Sequence, residues 1–175
     1  MKNKHARGYT LVELIVAIGL FALIMVLAAG AYLVIIGIAR QTQGITAGIN
    51  NVSFAVETMA RTIRTSTNYG CPTAGTDCSG GPTFSVKDIN GDTVTYTSNS
   101  GAITEQINSG AAVPLTDSSI SITSLLFYSF GVSPGDATQA RVTIVVSGTV
   151  ASGVDKTKTV PFTVETSATM RGSDI

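Results

Sequence analysis

Gly8-Tyr9-Thr10-Leu11-Val12-Glu13 opens directly onto an uncharged apolar run from Leu14 to Ala39. Twenty-six residues at ~1.5 Å rise each make a helix of roughly 39 Å, enough to cross a hydrocarbon layer of ~30 Å with some tilt. Before this stretch the chain is short and basic, with Lys2, Lys4 and Arg7 against no acid; after Arg40 it reads as a single body. The expected division is a leader at 1–8, a long helix at 9–69 and a β-rich body at 70–175. Within the helix, the span covers about 14–39 and an amphipathic half covers 40–69. Cations ahead of the span, and almost none just behind it, put the amino end in the cytoplasm and the body outside. A secretory signal is the competing reading, since Lys2, Lys4 and Arg7 form a basic n-region and Ala28-Ala29-Gly30-Ala31 resembles a small-residue cleavage site. A secretory apolar core is only ~7–15 residues long, and this run does not stop there.

Glu13 is the exception in the apolar stretch. A carboxylate at the bilayer centre is disfavoured by up to ~2.5–3.5 kcal/mol, and by less near the interface, so an acid held there either finds a partner or stays hydrated at headgroup level. Position alone leaves both open. Elsewhere, composition narrows the function. The formal charge of the chain is zero, and without the three leader cations eight basic residues face eleven acidic ones. A basic nucleic-acid footprint is therefore not expected. His5 is the only histidine and lies in the leader. The remainder has no imidazole for nucleophile activation or metal ligation, and no acid pair shows catalytic spacing, so the chain reads as a non-enzyme without a cofactor.

Basic residues, then Gly8, then Tyr9 to Glu13, then an apolar helix: this order resembles the class III signal of type IV pilins and of type II secretion pseudopilins. The resemblance implies cleavage between Gly8 and Tyr9 by prepilin peptidase, N-methylation of Tyr9, and an assembly role for Glu13, paired with the terminal amine of a neighbouring subunit. Opposite charges attract far more strongly in low dielectric than in water, which gives the acid a physical reason to be there. Tyr9 stands where the family usually has Phe, and the mid-span proline common in major pilins is replaced by Ala29-Gly30-Ala31.

Beyond Arg40, Ile45, Ile49, Val52, Val56, Met59 and Ile63 recur at alternating steps of four and three, which makes one apolar stripe. Glu57 and Arg61 have the spacing of an i,i+4 ion pair, worth ~0.2–0.5 kcal/mol. A continuous helix to about Asn68 would be roughly 90 Å long. Gly37, Gly44 and Gly48 suggest a bend or melted turn on the way. Gly30, Gly37 and Gly44, spaced by sevens, are read as the ordinary glycine content of an apolar span rather than as helix-packing sites. Gly70 and Pro72 mark the helix end. Cys71 and Cys78 lie outside the membrane, are even in number and lack a zinc spacing, so they read as one disulfide closing a small loop.

From Gly80 onward, short β-rich runs predict an antiparallel sheet whose apolar face lies on the helical stripe, giving an α+β fold. The runs are Phe84–Asp88, Thr93–Thr97, Ile103–Ile107, Ile120–Thr123 with Leu125–Phe130 as one strand or two, Arg141–Val150 and Thr159–Thr169. Asn90-Gly91 reads as a type I′ hairpin turn. Pro161 places the last strand at an edge or a bulge. Asp88, Asn90 and Asp92 alternate like the start of a calcium loop, but the distal Glu is missing and the same residues favour a turn, so no metal site is assigned.

The body is similar to minor pilins and J-type pseudopilins in Val94-Thr95-Tyr96, Val113-Pro114-Leu115-Thr116, Ala140-Arg141-Val142-Thr143-Ile144 and Thr169-Met170-Arg171. In the helix, Arg61-Thr62-Ile63-Arg64 is similar to the same family except at Thr62, where an acid is common, and the body departs at Gly172, where asparagine usually follows the closing arginine. Together the resemblances imply a pilin-like fold and a structural subunit of a type IV pilus or of a type II secretion or competence filament. Its expected partners are other pilin or pseudopilin subunits and an inner-membrane assembly platform. It would reside in the cytoplasmic membrane as a single-pass protein and then in a cell-surface or periplasmic filament. The alternative is an uncleaved single-pass anchor carrying an extracytoplasmic binding module.

Overall fold

The computed structural model describes residues 8–71, 73–133, 138–152 and 158–171. Lys2, Lys4, His5 and Arg7 lie outside these. The chain divides into two units, the first ending at Arg40 and the second beginning at Gln41. One helix, α1 (Leu11–Thr65), supplies all the regular structure of the first unit and the opening element of the second. It passes through Gly37, Gly44 and Gly48 without the melted turn that those glycines suggest.

In the second unit the burial of α1 follows the expected stripe. Val52, Val56, Met59 and Ile63 are buried together with Gly48, Ala55 and Ala60, while Ile45 and Ile49 are half-buried. Gly48 lies against β-strand residue Val150, because a methyl built on it would run into the Val150 side chain. The helix ends at Thr65, earlier than the expected stop near Tyr69. Its last carbonyls find partners that a longer helix would not need. Ser66 donates to the Thr62 carbonyl at 2.7 Å, the Tyr69 hydroxyl donates to Ile63 at 2.7 Å, and the Arg171 amide donates to Arg64 at 3.1 Å. Asn68 then takes a positive φ of 54° and the chain turns into a strand. Glu57 pairs with Arg64 at 4.0 Å instead of with Arg61; the side chains are 56% and 40% exposed, so water screens the pair and it adds little.

Among the described residues nine strands follow: β1 (Thr67–Gly70), β2 (Cys78–Gly81), β3 (Thr83–Lys87), β4 (Thr93–Asn99), β5 (Ala102–Ile107), β6 (Val113–Pro114), β7 (Ile120–Phe130), β8 (Arg141–Ala151) and β9 (Thr159–Thr169). They form two antiparallel sheets rather than one, ordered β1-β3-β4-β5-β6 and β2-β7-β8-β9. The architecture is α+β and pilin-like, a long amino-terminal helix with antiparallel sheets. A row of rings joins the sheets. Tyr69 of β1 stacks on Phe84 of β3 at 6.1 Å, and Phe84 on Phe127 of β7 at 5.1 Å. All three are buried, in one core with the helical stripe. The Cys71–Cys78 disulfide follows β1 of the first sheet and opens β2 of the second, so it ties the two sheets where their strands diverge.

The two runs Ile120–Thr123 and Leu125–Phe130 form one strand, β7, whose register shifts between Ile122 and Ser124. Buried positions accordingly change phase, from Ile120 and Ile122 to Leu125 and Phe127. One extra residue flips the alternation, which is why the sequence reads as two strands. Pro161 lies in β9, an edge strand, opposite Thr149.

The amino-terminal motif as the candidate functional site

Gly8, Tyr9 and Thr10 precede the helix, which starts at Leu11. Thr10 and Glu13 bond reciprocally: the Glu13 amide donates to Thr10 Oγ1 at 3.3 Å and the Thr10 amide to Glu13 Oε2 at 3.5 Å. This is a capping box, in which each side chain satisfies an amide that the first helical turn leaves without a partner. The pattern Thr10-Leu11-Val12-Glu13 spells it, a signal that the sequence reading passed over in attending to Glu13 alone. The carboxylate also faces the positive end of the helix dipole, which favours it by ~0.3–1 kcal/mol.

Gly8 and Tyr9 are open to a processing enzyme. Tyr9 is 86% exposed, and no atom lies within 4 Å of a Cβ built on Gly8. Cleavage at this point would leave an ammonium group close to the helix amino end, where the dipole disfavours a positive charge. A carboxylate four residues on, as Glu13 is from Tyr9, offers the compensating charge. Tyr9, Glu13, Leu14, Ala17, Ile18 and Phe21 line a shallow concavity of about 500 Å³ on one side of the helix. Glu13 is the carboxylate within an otherwise apolar or aromatic lining, so a cation brought there meets a single anion in largely apolar surroundings.

From Leu11 to Ile35 the large apolar side chains have no covering: Leu14, Phe21, Leu23, Ile24 and Leu33 are all more than half exposed. The most apolar window of α1 has a mean hydropathy of 2.8, and none of it is buried within the protein. An apolar surface around the whole circumference of a helix belongs in lipid or among other apolar helices.

Residues 3–29 match the family described as the prokaryotic N-terminal methylation motif. No curated protein and no solved structure matches the chain. The matched motif supports a type IV pilin-like family for the chain, and the α+β architecture is pilin-like. The motif marks it for processing by prepilin peptidase, and the apolar helix fits it for membrane anchoring.

The remaining singled-out residues lie away from this motif. The Asp88-Asn90-Asp92 segment is a five-residue connection between β3 and β4, and it is not a type I′ turn. Gly91 has a φ of 87°, but Asn90 is not among the positive-φ residues. Asp88 organises the loop. Its Oδ1 accepts from the amides of Asn90 and Asp92 at 2.9 and 2.8 Å, and its Oδ2 accepts from Asn90 Nδ2 at 3.1 Å. Asp92 Oδ1 accepts from Asn108 Nδ2 at 2.8 Å. These oxygens are used within the turn network, as expected of short polar side chains that hold a loop.

Proposed function

We propose that this chain is a minor pilin or pseudopilin, a structural subunit of a type IV pilus or of a type II secretion or competence filament. Prepilin peptidase cuts after Gly8 and methylates the amine of Tyr9. The trimmed subunit waits in the cytoplasmic membrane with residues beyond Arg40 outside, and then enters a filament through the helix beginning at Tyr9. Glu13 meets the terminal amine of a neighbouring subunit during entry, and the assembly platform in the inner membrane drives it. The role is structural and not enzymatic. The observation that carries the reading is an exposed Gly8-Tyr9 junction, followed by a capped helix whose only early charge is Glu13, with apolar surface on every side.

The test is the intact mass and amino-terminal sequence of the protein recovered from membranes of cells that contain prepilin peptidase. The expected chain begins at N-methylated Tyr9. A chain still beginning at Met1 would mean a permanent anchor bearing a binding module, and one beginning near Ala31 would mean a secretory signal. Glu13→Ala is expected to leave cleavage intact and to abolish recovery of the subunit from sheared filaments. Recovery equal to wild type would overturn the assembly role of this residue.

A further inference from the structure

The outer face of the β2-β7-β8-β9 sheet is mostly small hydroxyl side chains, as where Ser147 and Thr163 bond across strands at 3.1 Å. At one end it changes character. Tyr128 and Phe130 project from β7 with 41% and 66% exposure, and Arg141 of β8, also exposed, stands directly opposite Phe130. Thr143 stands opposite Tyr128, while Thr169 and Ser167 of β9 continue the two rungs. Tyr128, Phe130, Arg141 and Thr143, with Ser129 between the rings, line a concavity of about 260 Å³.

The concavity has the attributes of a binding platform. Tyr128 lies over Gly80 of β2, where a Cβ would sit 3.4 Å from the ring and where φ is +102°, so the ring rests on bare backbone. Neither ring is part of the buried aromatic row. Among the described residues Arg141 has no ion pair. The carboxylate on the same outer face, Glu165, is opposite Val145, four residues along β8 from Arg141 and thus ~13 Å away. Among the described residues, two exposed rings, a guanidinium without an ion pair and flanking hydroxyls gather here, an arrangement that suits a ligand with one apolar face and one anionic group.

We propose that this corner binds an acidic saccharide, one sugar ring lying on Tyr128 and Phe130 with its carboxylate on Arg141. The C–H face of a pyranose is apolar and flat enough to lie on aromatic rings, and its rim hydroxyls suit Thr143, Ser167 and Thr169. A planar guanidinium takes a carboxylate through two parallel hydrogen bonds. The volume lies below the ~300–1,000 Å³ of drug-sized pockets, which limits direct contact to about one ring. Single-stranded nucleic acid also stacks on aromatic side chains, but it needs a basic groove along its backbone. Here one arginine serves a chain with eight basic and eleven acidic residues outside its leader. The site does not depend on filament assembly.

The test uses the full chain in a zwitterionic detergent that carries no sugar headgroup, titrated with methyl β-glucuronide, methyl β-glucoside and an oligothymidylate, with saturation-transfer NMR as the readout. The glucuronide is expected to bind about tenfold more tightly than the glucoside, the scale of one charge-assisted hydrogen-bonded contact. Arg141→Gln should erase that preference, and Phe130→Ala should weaken both sugars. Phe54→Ala, which removes a 70% exposed ring on α1, should change neither. All these side chains are exposed, and far-UV circular dichroism checks that each variant folds. Equal affinity for the two glycosides, binding that survives Arg141→Gln and Phe130→Ala, displacement of the sugar by the oligothymidylate, or no binding would each overturn the proposal.

Discussion

The two ends of α1 share one backbone and have opposite surroundings. Near its start, Phe21 and Leu23 are 62% and 58% exposed; near its end, Met59 and Ile63 are completely buried. Apolar content does not explain the difference, since the exposed end is the more apolar of the two. Pattern does. Between Leu14 and Ala39 there is no polar face to turn toward water, so no single side can be chosen for a sheet to cover. Between Gly48 and Ile63 one stripe is apolar and the rest, the exposed Phe54 apart, is polar or charged, and that stripe enters the core. The first end is finished by its environment, the second by its own chain.

Paired truncations give the largest expected contrast. Phe84→Ala removes the middle ring of the Tyr69–Phe84–Phe127 row and should cost the second unit about 3–5 kcal/mol. Leu23→Ala, an equally apolar change in the exposed end, should leave the thermal unfolding of that unit unchanged. Differential scanning calorimetry in detergent compares the two, and similar losses would break the distinction drawn between the ends of the helix.

A smaller effect probes the contact of Gly48 with Val150. Gly48→Ala gains ~1 kcal/mol of helix propensity but forces a methyl into Val150, an overpacking that costs ~1–3 kcal/mol. Net destabilisation in chemical denaturation is the expected result. Gly37→Ala, with open space around it, should show no such loss.

The smallest effect is visible only in alkali. Burial pushes the Tyr96 phenol well above its ordinary value of 10.0; the hydrogen bond with Thr62 opposes the shift, while the hydrogen bond to Glu105 and the charge of Glu105 add to it. The folded form therefore holds this proton more tightly than the unfolded form. The associated stability is complete below about pH 10 and is lost as pH rises beyond it. Tyr96→Phe should flatten part of the decline in melting temperature above pH 10, and an unchanged slope would show that Tyr96 does not titrate on unfolding.

Much of this was legible in the sequence because it is written in neighbouring residues. Length and apolarity mark the span, steps of three and four mark the packed stripe, and Thr159–Thr169 reads as a strand with an edge proline. The errors have local causes too. Gly70 and Pro72 promised a later helix end, but the carbonyls of Thr62, Ile63 and Arg64 are taken by Ser66, Tyr69 and Arg171, the last of them more than a hundred residues away in the chain. Asn90-Gly91 promised a two-residue turn, but Asp88 draws in the Asn90 and Asp92 amides and opens a wider loop. The weak strands β1, β2 and β6 carry little pattern of their own and exist through pairing.

What the sequence alone determined was the amino-terminal motif, the apolar span and the α+β class, because each rests on chemistry within a few turns or strands of chain. Tertiary structure decided that the strands form two sheets, that the Tyr69, Phe84 and Phe127 rings meet between them, and that Tyr128, Phe130 and Arg141 gather at one corner. Those outcomes depend on pairing between segments tens of residues apart. Many registers satisfy the same alternation, and only the joint burial of all of them selects one.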